Sequence, residues 1–168
     1  MKAKVSIIMG SESDLEVMEK AARLLDEMGV AFEMTALSAH RTPLLVEKFA
    51  REAEGRGIKV IIAGAGMAAA LAGVVAANTT LPVIGVPMKG MLDGLDALLA
   101  TVQMPGGVPV ATVGVNGALN AALLAVEILA LSDAATAERL RAYKGALKEK
   151  IVKANARLGE LKYKNKTN

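Results

Sequence analysis

The chain has 168 residues, 53% of them hydrophobic but only 2% aromatic, which suits one domain with a core of Ala, Val, Leu, Ile and Met. It contains no cysteine and a single histidine, His40, which excludes disulfides, thiolate zinc sites, a cysteine nucleophile and a histidine-rich metal site within one chain. The net charge of +3 is uneven, because Glu138 to Asn168 carries ten Lys/Arg against three Glu while the rest is net acidic.

In chain order, Lys4–Met9 reads as a strand that runs into Gly10. Asp14–Met28 follows as a helix, with Leu15, Met18, Ala22 and Leu25 at helical spacing and Gly29 as a natural stop. A second strand, Ala31–Leu37, leads to a helix over Pro43–Glu54. A third strand, Lys59–Ala63, leads to a short apolar helix over Ala68–Ala77. Pro82–Val86 is the fourth strand, Asp93–Gln103 a helix, and Val108–Val115 the fifth strand. Ala118–Leu131 is an apolar helix, and Asp133 to about Arg157 a final charged one. Five strands alternating with helices predict parallel βαβ units in an α/β, three-layer αβα sandwich, whose strands are buried on both faces. The last helix exceeds what such a sheet needs. With so apolar a composition, it predicts surface buried against another subunit.

The segment Met1 to Gly10 lacks the length and cleavage region of a secretory leader. No unbroken apolar run reaches the roughly 18 residues of a membrane span. A soluble cytoplasmic protein with no membrane partner is expected. The basic tail suits nucleic acid, but Tyr143 and Tyr163 are too sparse to stack bases. A solvated helix face is the simpler reading, and no nucleic-acid partner is expected.

In open parallel sheets the ligand lies outside the carboxyl ends of the strands, so the chemistry belongs in the loops there. In the first, Ser13 and Glu16 fit a capping box. That leaves Gly10 and Ser11 at the positive end of a helix, suited to an anion. Asp14 in the first turn either complements the helix dipole or accepts from sugar hydroxyls. In the second loop, Thr42 fits an N-cap and Pro43 the first helical position. His40 and Arg41 have no such structural duty. A histidine there can carry a proton near neutral pH, and an arginine can clamp phosphate or carboxylate. In the third loop, Gly64, Gly66 and Ala69 fit a relaxed dinucleotide fingerprint. The loop follows the third strand rather than the first, and no acidic residue closes the next strand. Tight helix–sheet packing, or backbone approach to a flat ligand with an apolar wall behind it, explains it better. The segment from Pro87 to Asp96 reads as a mobile apolar lip.

Together these loops carry a resemblance. Met9-Gly10-Ser11-Glu12-Ser13-Asp14, Ser38-Ala39-His40-Arg41-Thr42-Pro43, Ala63-Gly64-Ala65-Gly66, Gly94-Leu95-Asp96 and the stretch Val102 to Val113 occur in this order. The chain resembles the N5-carboxyaminoimidazole ribonucleotide mutase family from about Lys4 to Leu131. Its Ser-Ala-His-Arg-Thr-Pro form is similar to the bacterial mutases, whereas the direct carboxylases tend to carry lysine in place of the arginine. The resemblance implies a flavodoxin-like fold and a purine-biosynthesis isomerisation that moves a carboxylate from the exocyclic nitrogen to ring carbon C4, through trapped CO2. It implies His40 as general acid and base. Ser11, Asp14 and Arg41 then bind phosphate and ribose, while Ser38, Gly64 and Ala65 line the site. It also implies a ribonucleotide substrate, no metal or organic cofactor, and a homo-octamer. The chain would be one mutase-like domain over residues 1–168, with 133–168 a basic helix and tail packing on another subunit.

The sequence departs from the family where the third loop reads AGAGGAAHLPG, with a second active-site histidine. Here Met67, Ala70 and Ala72 replace glycine, histidine and proline, and Ala97 and Ala100 stand where serines are usual. An alanine side chain neither titrates nor hydrogen-bonds. Three readings follow: a mutase using His40 alone, a direct CO2-dependent carboxylase of aminoimidazole ribonucleotide, or a catalytically impaired nucleotide-binding or structural oligomer.

Overall fold

A computed structural model describes residues 2–167 of the chain; the ends of the expected domain, Met1 and Asn168, lie outside the described residues. Its strands are β1 (Val5–Met9), β2 (Phe32–Ala36), β3 (Val60–Ala65), β4 (Val83–Pro87) and β5 (Ala111–Thr112). Its helices are α1 (Leu15–Glu27), α2 (Pro43–Arg56), α3 (Leu71–Ala77), α4 (Leu95–Val102), α5 (Ala118–Ala130) and α6 (Ala134–Glu160). The sheet is wholly parallel, in the order β2-β1-β3-β4-β5. That is the flavodoxin-like α/β fold, and the strand order reverses between β1 and β3.

The period-two pleat of β1 assigns its side chains to two cores. Val5, Ile7 and Met9 face α1 and α5, where Met18, Leu25, Ala121 and Ala125 complete one cluster. Ile8 faces α2 and α3, where Val46, Ala50, Leu71 and Val75 complete the other. The alanines of α5 explain its close seat on the sheet: Ala118, Ala121, Ala122 and Ala125 are all fully buried. At the β2 edge, the buried Ser6 hydroxyl donates to Glu33 Oε1 at 2.9 Å. The same carboxylate accepts from Arg56 Nη2 at 2.9 Å, and Arg56 lies 4.9 Å from the Phe49 ring centroid. This chain of contacts ties the end of α2 to the outer strand.

Three local expectations give way. The helix expected from Ala68 starts at Leu71, because Met67 and Ala69 adopt φ of 57° and 42°, which no α-helix accommodates. The strand expected over Val108–Val115 shrinks to Ala111–Thr112. Pro109 has no N–H to donate and Gly107 turns at φ 93°, so the approach to this edge strand stays irregular. Ser13 does not cap α1. Instead Ser11 Oγ accepts from the Ser13 N–H at 3.3 Å and caps a 3₁₀ turn over Glu12–Asp14, with α1 following directly. Gly29 stops α1 as expected, at φ 62°.

The last helix is capped by Asp133, whose Oδ1 accepts from the N–H groups of Ala135 (3.0 Å) and Thr136 (3.2 Å). Arg139 Nε donates to the Met28 carbonyl at 2.6 Å, and Leu140 and Tyr143 pack on the α1–α5 core. Beyond them α6 leaves the body, with Leu147, Ile151, Val152 and Leu158 exposed.

Gly85 marks the tightest point of the sheet. A Cβ there would collide with the Thr101 methyl and lie 2.9 Å from Val110. The Gly85→Ala variant is expected to lose about 1–3 kcal/mol by overpacking. The measurement is the urea midpoint, which should fall with an unchanged slope.

Candidate active site

A cavity of about 670 Å³ opens at the carboxyl ends of β1 to β4, where the four following loops meet. Its first wall is the β1 loop. Gly10 donates its N–H to Gly64 O at 3.0 Å, continuing the β1–β3 pairing past the end of β1. Ser11 and Asp14 line the cavity just beyond. The Asp14 carboxyl is half-buried, and loss of water pushes it above the usual aspartate range, against the Ser11 backbone and Arg41, which pull it down.

The second wall is the β2 loop, a turn closed on itself. The Ser38 N–H donates to Thr42 Oγ1 at 2.9 Å, and that hydroxyl donates back to Ser38 O at 3.0 Å. The Thr42 N–H also donates to Ser38 O, at 2.8 Å, and the Arg41 N–H to Ser38 Oγ, at 3.2 Å. Thr42 sits at the N-cap position of α2 but its hydroxyl is spent on Ser38, so it gives the helix no side-chain cap. Pro43 takes the first helical position. His40 rides at the exposed tip of this turn and lines the cavity. Arg41 reaches across to donate to the Gly10 carbonyl at 3.0 Å, joining the first two loops.

The third wall is apolar. Ala65, Met67, Ala70 and Leu71 line it, with Met88 behind. Here the chain runs through left-handed backbone at Met67 and Ala69. For Met67 that costs on the order of 1 kcal/mol against a glycine at the same place. Gly66 lets the chain pass Met88, whose Cβ would be 3.2 Å from an added methyl.

Of the seven residues singled out from sequence, Ser11, Asp14, Ser38, His40, Arg41 and Ala65 line this cavity. Gly64 does not. It lies buried beneath, where an added Cβ would come within 2.6 Å of Met18 Sδ, and so it makes room for core methionines. Sequence reasoning missed Lys89, which lines the cavity from the β4 side. Its N–H donates to Asn116 Oδ1 at 2.8 Å and its Nζ pairs with Asp93 at 3.2 Å. The available signal was its place two residues past the end of a central strand. Among the described residues no group of three His, Cys, Asp or Glu could hold a metal ion. The titratable groups that line the cavity are one carboxyl, one imidazole and two cations, which suits acid–base work on an anionic ligand.

The comparisons with known proteins agree with one another. The sequence profile of the AIR carboxylase family matches residues 4–150. The N5-carboxyaminoimidazole ribonucleotide mutase of Pyrococcus horikoshii is 55% identical over 95% of this chain and 91% of its own length. That of Thermotoga maritima is 52% identical over 98% and 97%. The phosphoribosylaminoimidazole carboxylase of Candida albicans is 51% identical over 96% of this chain but only 28% of its own length. Among solved structures, Treponema denticola PurE superposes with a TM-score of 0.85 at 32% identity, covering 93% of this chain and 98% of that one.

The burial of Asp14 has a consequence for stability. A carboxyl raised in the folded state contributes stability that is present below its ordinary value and lost as pH rises through the folded one. Asp14→Asn is therefore expected to be more stable than the unmodified chain near neutral pH, with the gap closing in acid. Urea midpoints of both chains at about pH 7 and about pH 3 measure it.

Proposed function

This chain belongs to the AIR carboxylase family, and we propose that it isomerises N5-carboxyaminoimidazole ribonucleotide to 4-carboxyaminoimidazole ribonucleotide in purine biosynthesis. The observation that carries the reading is His40, the only imidazole in the chain, held on the locked Ser38–Thr42 turn beside an apolar wall.

The chemistry follows from those two features. Protonated His40 gives its proton to the exocyclic nitrogen as the N–CO2 bond breaks, which leaves the aminoimidazole and CO2. The ring carbon C4 then attacks the CO2 carbon to form the new C–C bond. His40, now neutral, takes the proton from C4 and the ring regains its aromaticity. No proton is gained or lost overall. The apolar wall of Ala65 to Leu71 keeps CO2 beside C4 and keeps water from the carbamate. Ser11, with the amides that open the first helical turn, and Arg41 bind the phosphate; Asp14 takes the ribose hydroxyls; Ser38 and Ala65 complete the walls. Phosphate binding supplies remote energy that holds the ring in place. The reading needs no metal or organic cofactor.

The reading includes a single domain over residues 1–168 that works as a cytoplasmic homo-octamer, with the basic helix and tail of 133–168 packed on another subunit. Supporting it, α4 exposes Leu95, Leu99 and Val102 along one face, and α6 exposes Leu147, Ile151 and Leu158. No helix among the described residues is long and apolar enough to cross a membrane. Light scattering is expected to return about eight chain masses; a monomer mass would sink the assembly.

Ala70, on the apolar wall, favours a second reading, a ligand-binding oligomer with impaired chemistry. The deciding assay follows the isomerisation without ATP or added CO2, with the unmodified chain, His40→Asn and Ala70→His side by side. The unmodified chain is expected to turn over. His40→Asn is expected to lose about 10²–10⁴-fold in rate while still binding the nucleotide. Activity only in Ala70→His would support the impaired reading, and turnover only with added CO2 the direct carboxylase.

A further inference from the structure

The cavity holds two permanent cations, and the mechanism above uses one of them. Arg41 enters from the loop after β2 and Lys89 from the loop after β4. In the order β2-β1-β3-β4 those strands are three intervals apart, roughly 14 Å at the usual strand spacing. Arg41 stands over Gly10, next to the phosphate-binding turn. Lys89 stands at the other end, beside Met88 and Gly90. The ligand of the proposed reaction carries two anionic groups, a phosphate on the ribose and a carboxylate on the base, at its own opposite ends.

We propose that Lys89 binds the migrating carboxylate, and this rests on the mutase reading. The backbone of Lys89 is fixed. Asn116 donates its N–H to Pro87 O at 2.8 Å and accepts the Lys89 N–H at 2.8 Å, so one side chain and its own backbone staple both sides of Met88. Met88 itself is 4% exposed and anchored in the core. What remains free to swing is the side chain. Its resting partner, Asp93, is a weak competitor: the two side chains are 61% and 88% exposed, so water screens the pair. A ligand carboxylate held between Lys89 and the apolar wall is screened less and is the better partner. The exchange also explains why a lysine suits this place: it delivers a point charge on a flexible stem. It can follow the carboxylate from nitrogen to carbon, a move between adjacent ring substituents.

The test compares two ribonucleotides that differ by that one group. Calorimetric titrations of the unmodified chain, Lys89→Gln, Lys89→Arg and Arg41→Ala are run with 4-carboxyaminoimidazole ribonucleotide and with aminoimidazole ribonucleotide. Lys89→Gln is expected to weaken the carboxylated ligand about tenfold or more and to leave the uncarboxylated one unchanged. Lys89→Arg is expected to recover most of the loss, and Arg41→Ala to weaken both ligands alike. Equal effects of Lys89→Gln on the two ligands, or none, would overturn the assignment of Lys89. Failure of the unmodified chain to bind either nucleotide would overturn the mutase reading itself. The lysine side chain makes no buried contact that folding needs, and matched urea midpoints confirm that the variants share one fold.

Discussion

The backbone of Gly10 is the joint on which the site depends. Its N–H reaches the Gly64 carbonyl of β3, and its carbonyl receives Arg41 from the loop after β2. One residue therefore ties the loops after β1 and β2 to each other and to the end of β3. The reach is short because the sheet is parallel and its strands end together: Met9 lies opposite Ala36 on one side and Gly64 on the other. A parallel sheet buried on both faces puts all its loose backbone at its ends, and the reversal of strand order opens a crevice at one of them. The cavity is what remains when the loops after four strands are joined at that crevice.

Much of this was legible in the chain. The apolar runs at β1, β3 and β4 and the spaced apolar residues of α1 announced their elements, because core burial dominates both signals. His40 stood out for want of any structural duty. What stayed hidden was set by contacts between distant residues. Whether Ser11 or Ser13 caps the first turn is decided by a 3₁₀ geometry that shifts the cap two positions, and both serines fit the local pattern. Gly64 reads as a ligand-facing glycine until Met18 and Met88 are seen to need its space. Lys89 was passed over because its loop read as an apolar lip; only its place two residues past a central strand marked it, and the cavity it lines is closed by loops distant in the chain. The fifth strand was overestimated because β-branched residues continue through a segment whose proline and glycines prevent pairing.

The site also concentrates the strain of the molecule. Five non-glycine residues among those described have positive φ: Met67, Ala69, Leu92, Asp93 and Asn116. All lie in loops after β3, β4 or β5, on the side of the cavity. The half-buried carboxyl of Asp14, held above the usual aspartate range by loss of water, adds an electrostatic cost at the same rim. A core made of close-packed aliphatic side chains and alanines, with both sheet faces covered, offsets these local costs. Stability and chemistry thus reside in different parts of the fold, which is why the loops tolerate residues that a helix or strand would reject.

The near absence of aromatic residues, which shaped the core, also decides what light can report about this chain. It has no tryptophan and two tyrosines. Tyr163 is exposed, whereas Tyr143 lies against the α1–α5 core from the first turns of α6. Intrinsic ultraviolet emission is therefore blind to the sheet and sensitive to the seating of one helix. A melting curve followed by fluorescence tracks the detachment of α6, and one followed by circular dichroism tracks the helices as a whole. Where the two curves part, α6 detaches in a step separate from the unfolding of the body.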